Sequence, residues 1–218
     1  MNRRPRLLAT AAAGATAALL LTACGGGGDK PKANDKIAGA DTGGATSAAP
    51  GAGATQSAGR PKIELPSDLT YTFEWPKTGD KDKDAVLADS EQSIKAVDLA
   101  IVNQDALDKA YLFYYEGEAA AETQKFIEAY VKAKARTTGA YRYYDAAVNV
   151  NGSDSASLVY CEDQAKGYDM YLKPKKVDKT TVTKNSYVLY NTQLHKNDKG
   201  VWVIEKLISQ RGSAKCQP

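Results

Sequence analysis

The aromatic residues of this chain are confined to its second part, and this uneven distribution limits where a folded domain can form. The 218-residue sequence contains 13 Tyr, 3 Phe and 2 Trp, and all of them follow residue 70. Small and polar residues dominate the first sixty or so positions. Because a packed core needs bulky apolar side chains, we expect it within residues 65–218, a length of about 150 residues.

The N-terminal segment has the layout of a signal peptide. Met1–Arg6 is cationic, Leu7–Leu21 is uncharged, and Leu21-Thr22-Ala23-Cys24 follows. An apolar run of about fifteen residues is short for a membrane span, which needs about twenty. The four residues ending at Cys24 resemble the lipobox of bacterial lipoproteins. That resemblance implies cleavage before Cys24, a diacylglycerol on its thiol, and stable anchoring at the outer face of the cell membrane.

The export route and the charge balance follow from the same segment. Arg3-Arg4 could mark twin-arginine export, but Pro5 and Arg6 depart from the usual pattern, so general export is favoured and both routes stay open.

The formal net charge is +3, and the segment carries three Arg and no acid, so its removal leaves +3 − 3 = 0. A neutral chain lacks the basic surface that drives nucleic-acid binding, so we expect no such partner.

The chain therefore divides into three predicted parts. Residues 1–23 are the signal peptide, and residues 24–62 are a lipidated cysteine followed by a disordered Gly/Ala/Ser/Thr tether. Such a tether buries too little surface to offset its chain entropy. Residues 63–218 form one domain.

The first half of this domain is predicted to contain one extended segment and three helices. Residues 63–78 alternate apolar and polar side chains, as in Leu69, Tyr71, Phe73 and Trp75, which is typical of a strand. Apolar residues then recur at helical spacing in segments ending near residues 102, 115 and 136. Gly139 is predicted to stop the third helix.

The second half is predicted to be a meander. Residues 141–150, 155–162, 167–173, 186–196 and 201–209 alternate apolar and polar side chains, and short turn-forming stretches separate them. Such close spacing favours hairpins, and hence a mainly antiparallel sheet. The sequence thus predicts an α+β domain, with N-terminal helices packed on a curled sheet of four to five strands.

This order of elements resembles the NTF2-like cone fold. More narrowly, the chain looks like lipoproteins of high-GC actinobacteria. The matching pieces are Thr78-Gly79-Asp80, Asp84-Ala85-Val86-Leu87, Val159-Tyr160-Cys161-Glu162-Asp163, Gly200-Val201-Trp202 and Cys216. The resemblance implies a fold and a compartment but no reaction, because this fold carries enzymes, binding modules and scaffolds alike.

Two cysteines remain once Cys24 is assigned to lipid. An even pair in an exported chain usually forms a disulfide, so Cys161 and Cys216 are predicted to be bridged. This bridge would close a loop of about 56 residues, which should stabilise the domain by about 4 kcal/mol if a disulfide acts by lowering the entropy of the unfolded chain.

Reactive side chains are scarce. The single histidine, His195, adjoins a predicted turn and is expected to be solvated, and no nucleophile motif accompanies it. We therefore expect no catalytic residue, no metal site and no cofactor.

A lysine-rich stretch beginning at Lys173-Pro174-Lys175-Lys176 could touch anionic headgroups or wall polymers, or serve as a solvated edge that resists aggregation.

The tyrosines leave two functional interpretations open. Tyr141, Tyr143 and Asp145 alternate along one predicted strand, so they are expected to share one face and could line a pocket. The favoured interpretation is a non-catalytic binding or accessory module of the cell envelope, with a small ligand, a wall polymer or an envelope protein as partner. The alternative is a small-molecule enzyme of isomerase or hydrolase type that uses an acid in an aromatic pocket.

Overall fold

The structure is a computed structural model, and it describes residues 59–218. The predicted signal peptide, the lipidation site Cys24 and most of the predicted tether lie outside the described residues. The tether's last four positions, residues 59–62, are described.

Three α-helices lie in the first half of the domain: α1 (Lys81–Asn103), α2 (Lys109–Tyr114) and α3 (Gly117–Ala133). Asp80 caps α1, because its carboxylate accepts hydrogen bonds from the backbone N–H groups of Asp82 and Lys83. The prediction that the third helix reaches residue 136 is wrong. Lys134 adopts a left-handed conformation with φ of 49°, which ends α3 and turns the chain into a strand.

Six strands form one sheet. They are β1 (Leu69–Phe73), β2 (Ala135–Asn151), β3 (Ser155–Leu172), β4 (Lys175–Asp178), β5 (Tyr187–Lys196) and β6 (Trp202–Arg211). Their spatial order is β1-β2-β3-β5-β6, and β4 pairs with the end of β3. The β1–β2 pair is parallel and every other pair is antiparallel.

The turn predicted at residues 163–166 is wrong, because β3 is one continuous strand. Asp163 pairs with Arg142 and Lys166 pairs with Ala140, so the ladder continues through this stretch. The register of this ladder shifts between Ala140 and Arg142, where the strand pair has a bulge. Two predicted strands therefore merge, while β1 and β4 join the sheet.

The helices pack on one face of a curled sheet. Helix α1 contacts both β2 and β6, which lie near opposite edges of the sheet, and α3 also contacts both strands. The core between the layers contains fully buried large side chains, among them Trp202, Tyr111, Tyr114, Ile101 and Ile127. The predicted α+β class, with helices on a mainly antiparallel curled sheet, is confirmed.

A residue from the end of the predicted tether contacts the folded domain. Arg60, within the predicted tether, donates two hydrogen bonds of 2.9 Å to the carboxylate of Asp89 on α1. Asp89 also accepts a 2.9 Å hydrogen bond from the backbone N–H of Trp202. Since Asp89 is 2% exposed, Arg60 provides the counter-charge for a buried carboxylate.

Candidate functional site

The three residues predicted to line a pocket do not lie on one face of the sheet. Tyr141 and Tyr143 are buried and belong to the core cluster. Asp145 is exposed, with φ of 51°, and it lies at a register shift between Tyr144 and Ala147. The bulge moves the alternation by one residue, so that Ala146 and Val148 face the core in its place. The prediction that Asp145 shares a face with the two tyrosines is therefore wrong.

Besides Asp89, which pairs with Arg60, a buried acid and a partly buried acid lie on the core side of the sheet, Glu162 and Asp98. Asp98 on α1 accepts a 2.6 Å hydrogen bond from the Tyr71 hydroxyl through one carboxylate oxygen. Its other oxygen accepts a 2.6 Å hydrogen bond from the Thr137 hydroxyl on β2. Both oxygens of Asp98 thus have a neutral donor, and in the described part of the chain no cation pairs with them.

Glu162 on β3 is held in the same way. Its Oε1 accepts a hydrogen bond of 2.8 Å from the Tyr143 hydroxyl, and its Oε2 accepts one of 2.9 Å from the Tyr190 hydroxyl. The Gln164 side-chain amide donates a further hydrogen bond of 2.6 Å to Oε2. Glu162 is 5% exposed, so these donors replace the water that a carboxylate would otherwise bind.

We call these two acids with Tyr71, Tyr143 and Tyr190 the carboxyl network. Desolvation raises the pKa of Asp98 to about 6, with a smaller contribution from the charge of Glu162, while the Thr137 and Tyr71 hydroxyls oppose the rise. Desolvation also raises the pKa of Glu162, against the effect of its three donors. Burial is thus the dominant cause at both acids.

Aromatic rings fill the space around the carboxyl network. Phe73 stacks on Tyr143 at 4.8 Å between ring centroids, and Tyr160 stacks on Tyr190 at 5.0 Å. Further ring contacts of 4.9–6.2 Å link Tyr71, Phe73, Trp75, Tyr141, Tyr143 and Tyr160. The core side of the sheet therefore carries a continuous cluster of aromatic side chains in stacked, tilted and edge-to-face contacts.

A separate, half-open pocket lies at the rim of the sheet. Its volume is about 210 Å³, and its lining includes Thr72, Ala140, Tyr141, Arg142 and Asp163. Sites for small ligands commonly measure about 300–1,000 Å³. Arg142 contributes to an ion pair with Glu74 at 3.0 Å, which already engages the pocket's guanidinium. This pocket is small, and two of its charged side chains, Arg142 and Asp163, pair with each other at 3.6 Å.

The remaining residues singled out in the sequence are Cys161, Cys216 and His195. Cys161 on β3 and Cys216 in the C-terminal tail form a disulfide with their Cα atoms 5.5 Å apart, as predicted. The Tyr144 hydroxyl donates a hydrogen bond to the Cys216 carbonyl, which further fixes the tail. The expectation that His195 is simply solvated is wrong, because it is partly buried between two glutamates.

The lysine-rich stretch forms an edge of the sheet. Lys175 and Lys176 are exposed on the short strand β4, and Lys173 and Lys179 flank it.

No helix within residues 59–218 has the length and apolar character needed to cross a membrane.

Similarities between this chain and known proteins are found among solved structures. The sequence matches no protein-family model and no curated protein. Among solved structures, it is similar to a ketosteroid isomerase-like protein from Erwinia carotovora atroseptica, with 12% identity and a TM-score of 0.42 over 62% of this chain and 98% of that one. It is also similar to the intermembrane space region of the chloroplast protein ARC6, with 10% identity and a TM-score of 0.41 over 61% and 98%.

A third similar structure is the association domain of C. elegans CaMKII, with 14% identity and a TM-score of 0.34 over 60% of this chain and 99% of that one. Matches at this level identify neither a family nor an activity.

Proposed function

We propose that this chain is a lipid-anchored, extracytoplasmic module of the cell envelope with a binding or accessory role and no catalytic one. The observation that carries the proposal is the packing around the carboxyl network. Its two acids, Asp98 and Glu162, have donors on both carboxylate oxygens, and aromatic rings pack around them. A substrate would have to displace this packing before it could meet either acid.

Two sequence features support the compartment. The residues ending at Cys24 match a lipobox, and Cys161 and Cys216 form a disulfide. Disulfides persist mainly in oxidising compartments outside the cytoplasm. Two or more acyl chains on Cys24 would anchor the protein stably at the membrane surface.

The exposed surface supports an envelope partner rather than a deeply bound substrate. Lys175 and Lys176 lie on an exposed edge strand and could meet anionic headgroups or a wall polymer. A small ligand and an envelope protein are the other partners consistent with the proposal. The neutral mature chain argues against nucleic acid.

Fractionation tests the anchor. We expect the wild-type protein in the membrane fraction, released by detergent but not by high salt, and the Cys24→Ala protein in the soluble or salt-released fraction. A Ser47→Ala protein, changed within the predicted tether, is the control, because it keeps both the lipid site and the disulfide. Equal membrane retention of the Cys24→Ala and wild-type proteins would contradict the anchor.

A second function has one observation in its favour, namely the pKa of Asp98 near 6. An acid of that pKa can exchange a proton near neutral pH, so an enzyme of isomerase or hydrolase type would use Asp98 rather than the exposed Asp145. Native mass spectrometry of protein purified from its own host distinguishes the two functions. A retained small molecule that the wild type converts and the Asp98→Asn variant does not would favour the enzyme, whereas a molecule that is bound without conversion would favour the binding module.

A further inference from the structure

His195 lies between two carboxylates that come from different parts of the chain. Its Nδ1 atom is 3.3 Å from an oxygen of Glu116 and 3.2 Å from an oxygen of Glu205. All three atoms lie within 4.8 Å of one another. Neither contact has hydrogen-bond geometry, and Nδ1 is a buried atom without a hydrogen-bond partner. A buried polar nitrogen with two oxygens around it and no bond to either one calls for an explanation.

Three elements build this cluster. Glu116 is the residue before α3, and its side chain makes no capping hydrogen bond, so its carboxylate is available. His195 lies near the end of β5. Glu205 occupies the bulge of β6, where the register shifts between the pairs Gln193–Lys206 and Leu194–Ile204. A bulge redirects a side chain that regular pairing would place elsewhere, and here it brings Glu205 to the histidine.

The distances suit the coordination shell of a metal ion. Zinc binds histidine nitrogen and carboxylate oxygen at about 2.0–2.2 Å, so neighbouring ligand atoms of a tetrahedral site lie about 3.3–3.6 Å apart. The two His195 contacts are close to that spacing. Glu116 and Glu205 have side chains that are 50% and 46% exposed, so rotation of these flexible groups can close the third edge.

The donor set also selects a class of ion. One imidazole nitrogen and two carboxylates suit zinc and neighbouring divalent transition metals, whereas Ca²⁺ and Mg²⁺ prefer oxygen ligands alone. Three protein ligands at a half-exposed position leave one tetrahedral position for water or for an atom of a partner molecule.

We propose that Glu116, His195 and Glu205 form a binding site for one zinc-class divalent ion, coordinated by His195 Nδ1 and one oxygen of each glutamate, with the fourth position open. The site lies at the junction of α3, β5 and β6, away from the carboxyl network. It is independent of the lipid anchor and of the accessory role proposed above.

The test uses the complete chain carrying Cys24→Ala in detergent, so that no free thiol competes for metal. Titration with Co²⁺, followed by its visible absorption, should show one equivalent bound in a four- or five-coordinate site that Zn²⁺ displaces. Because His195 is the one histidine of the sequence, its imidazole nitrogen resonances are unambiguous. Zn²⁺ should shift the Nδ1 resonance and leave Nε2 bearing the proton.

The variants assign the ligands. His195→Ala should lower the affinity for Zn²⁺ at least about 100-fold, and Glu116→Gln or Glu205→Gln at least about tenfold each. Glu118→Gln, in the first turn of α3 but outside the cluster, should leave the affinity unchanged, and near-UV circular dichroism checks the folding of each variant. Glu116→Gln alters an exposed side chain, so it tests the site without disturbing the core.

Two results would overturn the site. One is the absence of saturable Zn²⁺ binding and of any Nδ1 shift in the wild-type sequence at millimolar metal. The other is binding that persists in His195→Ala. In the first case the cluster holds no metal, and His195 is simply packed between two carboxylates.

Discussion

Glu162 on β3 lies directly opposite Tyr143 on β2, and the Tyr143 hydroxyl donates a hydrogen bond of 2.8 Å to Glu162 Oε1. Replacing Glu162 by Ala would leave the buried hydroxyls of Tyr143 and Tyr190 without their acceptor. We expect a loss of about 2–5 kcal/mol in the free energy of unfolding, measured by urea denaturation. Glu122→Ala, on the exposed surface of α3, should change it by less than about 0.5 kcal/mol. A loss at Glu162 as small as at Glu122 would contradict the network.

Asp98 makes the stability depend on pH. Its pKa of about 6 in the folded protein lies above the value near 4 of an unfolded aspartate. Between these values the folded state holds more protons than the unfolded state, so the free energy of unfolding should fall as pH rises from about 4 to 6 and then level off. The contribution of Asp98 is at most about 3 kcal/mol.

The raised pKa of Glu162 acts in the same direction. Urea unfolding of the wild type and Asp98→Asn at several pH values isolates the aspartate. The difference between the two proteins should change between pH 4 and 6 and stay constant above that range. A difference that is constant over the whole range would contradict the burial of this acid.

Arg60 should be required for full stability although it lies within the predicted tether. Arg60→Ala leaves the buried carboxylate of Asp89 with one donor, the Trp202 N–H, and should cost about 2–4 kcal/mol. Lys62→Ala is the control, because the Lys62–Glu64 pair is 78% and 73% exposed and should contribute little. Equal unfolding midpoints for the two variants would place Arg60 outside the domain.

Gly167 should tolerate no larger residue. A Cβ at this position would lie 2.5 Å from Cζ of Tyr141, whose ring covers the glycine from the neighbouring strand. Gly167→Ala should therefore displace the Tyr141 ring and destabilise the domain by about 1–3 kcal/mol in a thermal or urea unfolding experiment. Lys166→Ala, at an exposed neighbouring position, should be close to neutral, and a neutral Gly167→Ala would show that the ring does not cover this strand.

The disulfide should stabilise the domain through its long loop. Cys161 and Cys216 are separated by 55 positions, so their replacement by Ala should cost about 2–4 kcal/mol. The same loss should appear when the Cys24→Ala protein unfolds in the presence of a reductant, since that protein holds no other cysteine. An unfolding midpoint that reductant does not change would mean that the bridge is absent in solution.

Alternation and spacing predicted the class of the fold, because they report which side chains a helix or strand buries. They did not predict where a single residue ends a helix or shifts the pairing of a strand. Lys134 ends α3 through a left-handed conformation that its residue type does not announce, and the bulge beside Asp145 reverses the alternation on which its placement depended.

The interior acids were missed for a different reason. Asp98 follows Ile94 by four residues and precedes Ile101 by three, so it lies on the apolar face of α1, where an acid needs partners. Glu162 shares the alternation of Tyr160 on β3. These positions were visible in the sequence, but their hydroxyl partners come from β1, β2 and β5, and only the fold brings those strands together.

The intact mass of the protein isolated from bacterial membranes tests the central claim most directly. The account predicts a polypeptide that begins at Cys24, carries diacylglycerol on that residue, and has Cys161 and Cys216 oxidised. A mass that corresponds to an unlipidated chain beginning at Met1 would contradict it.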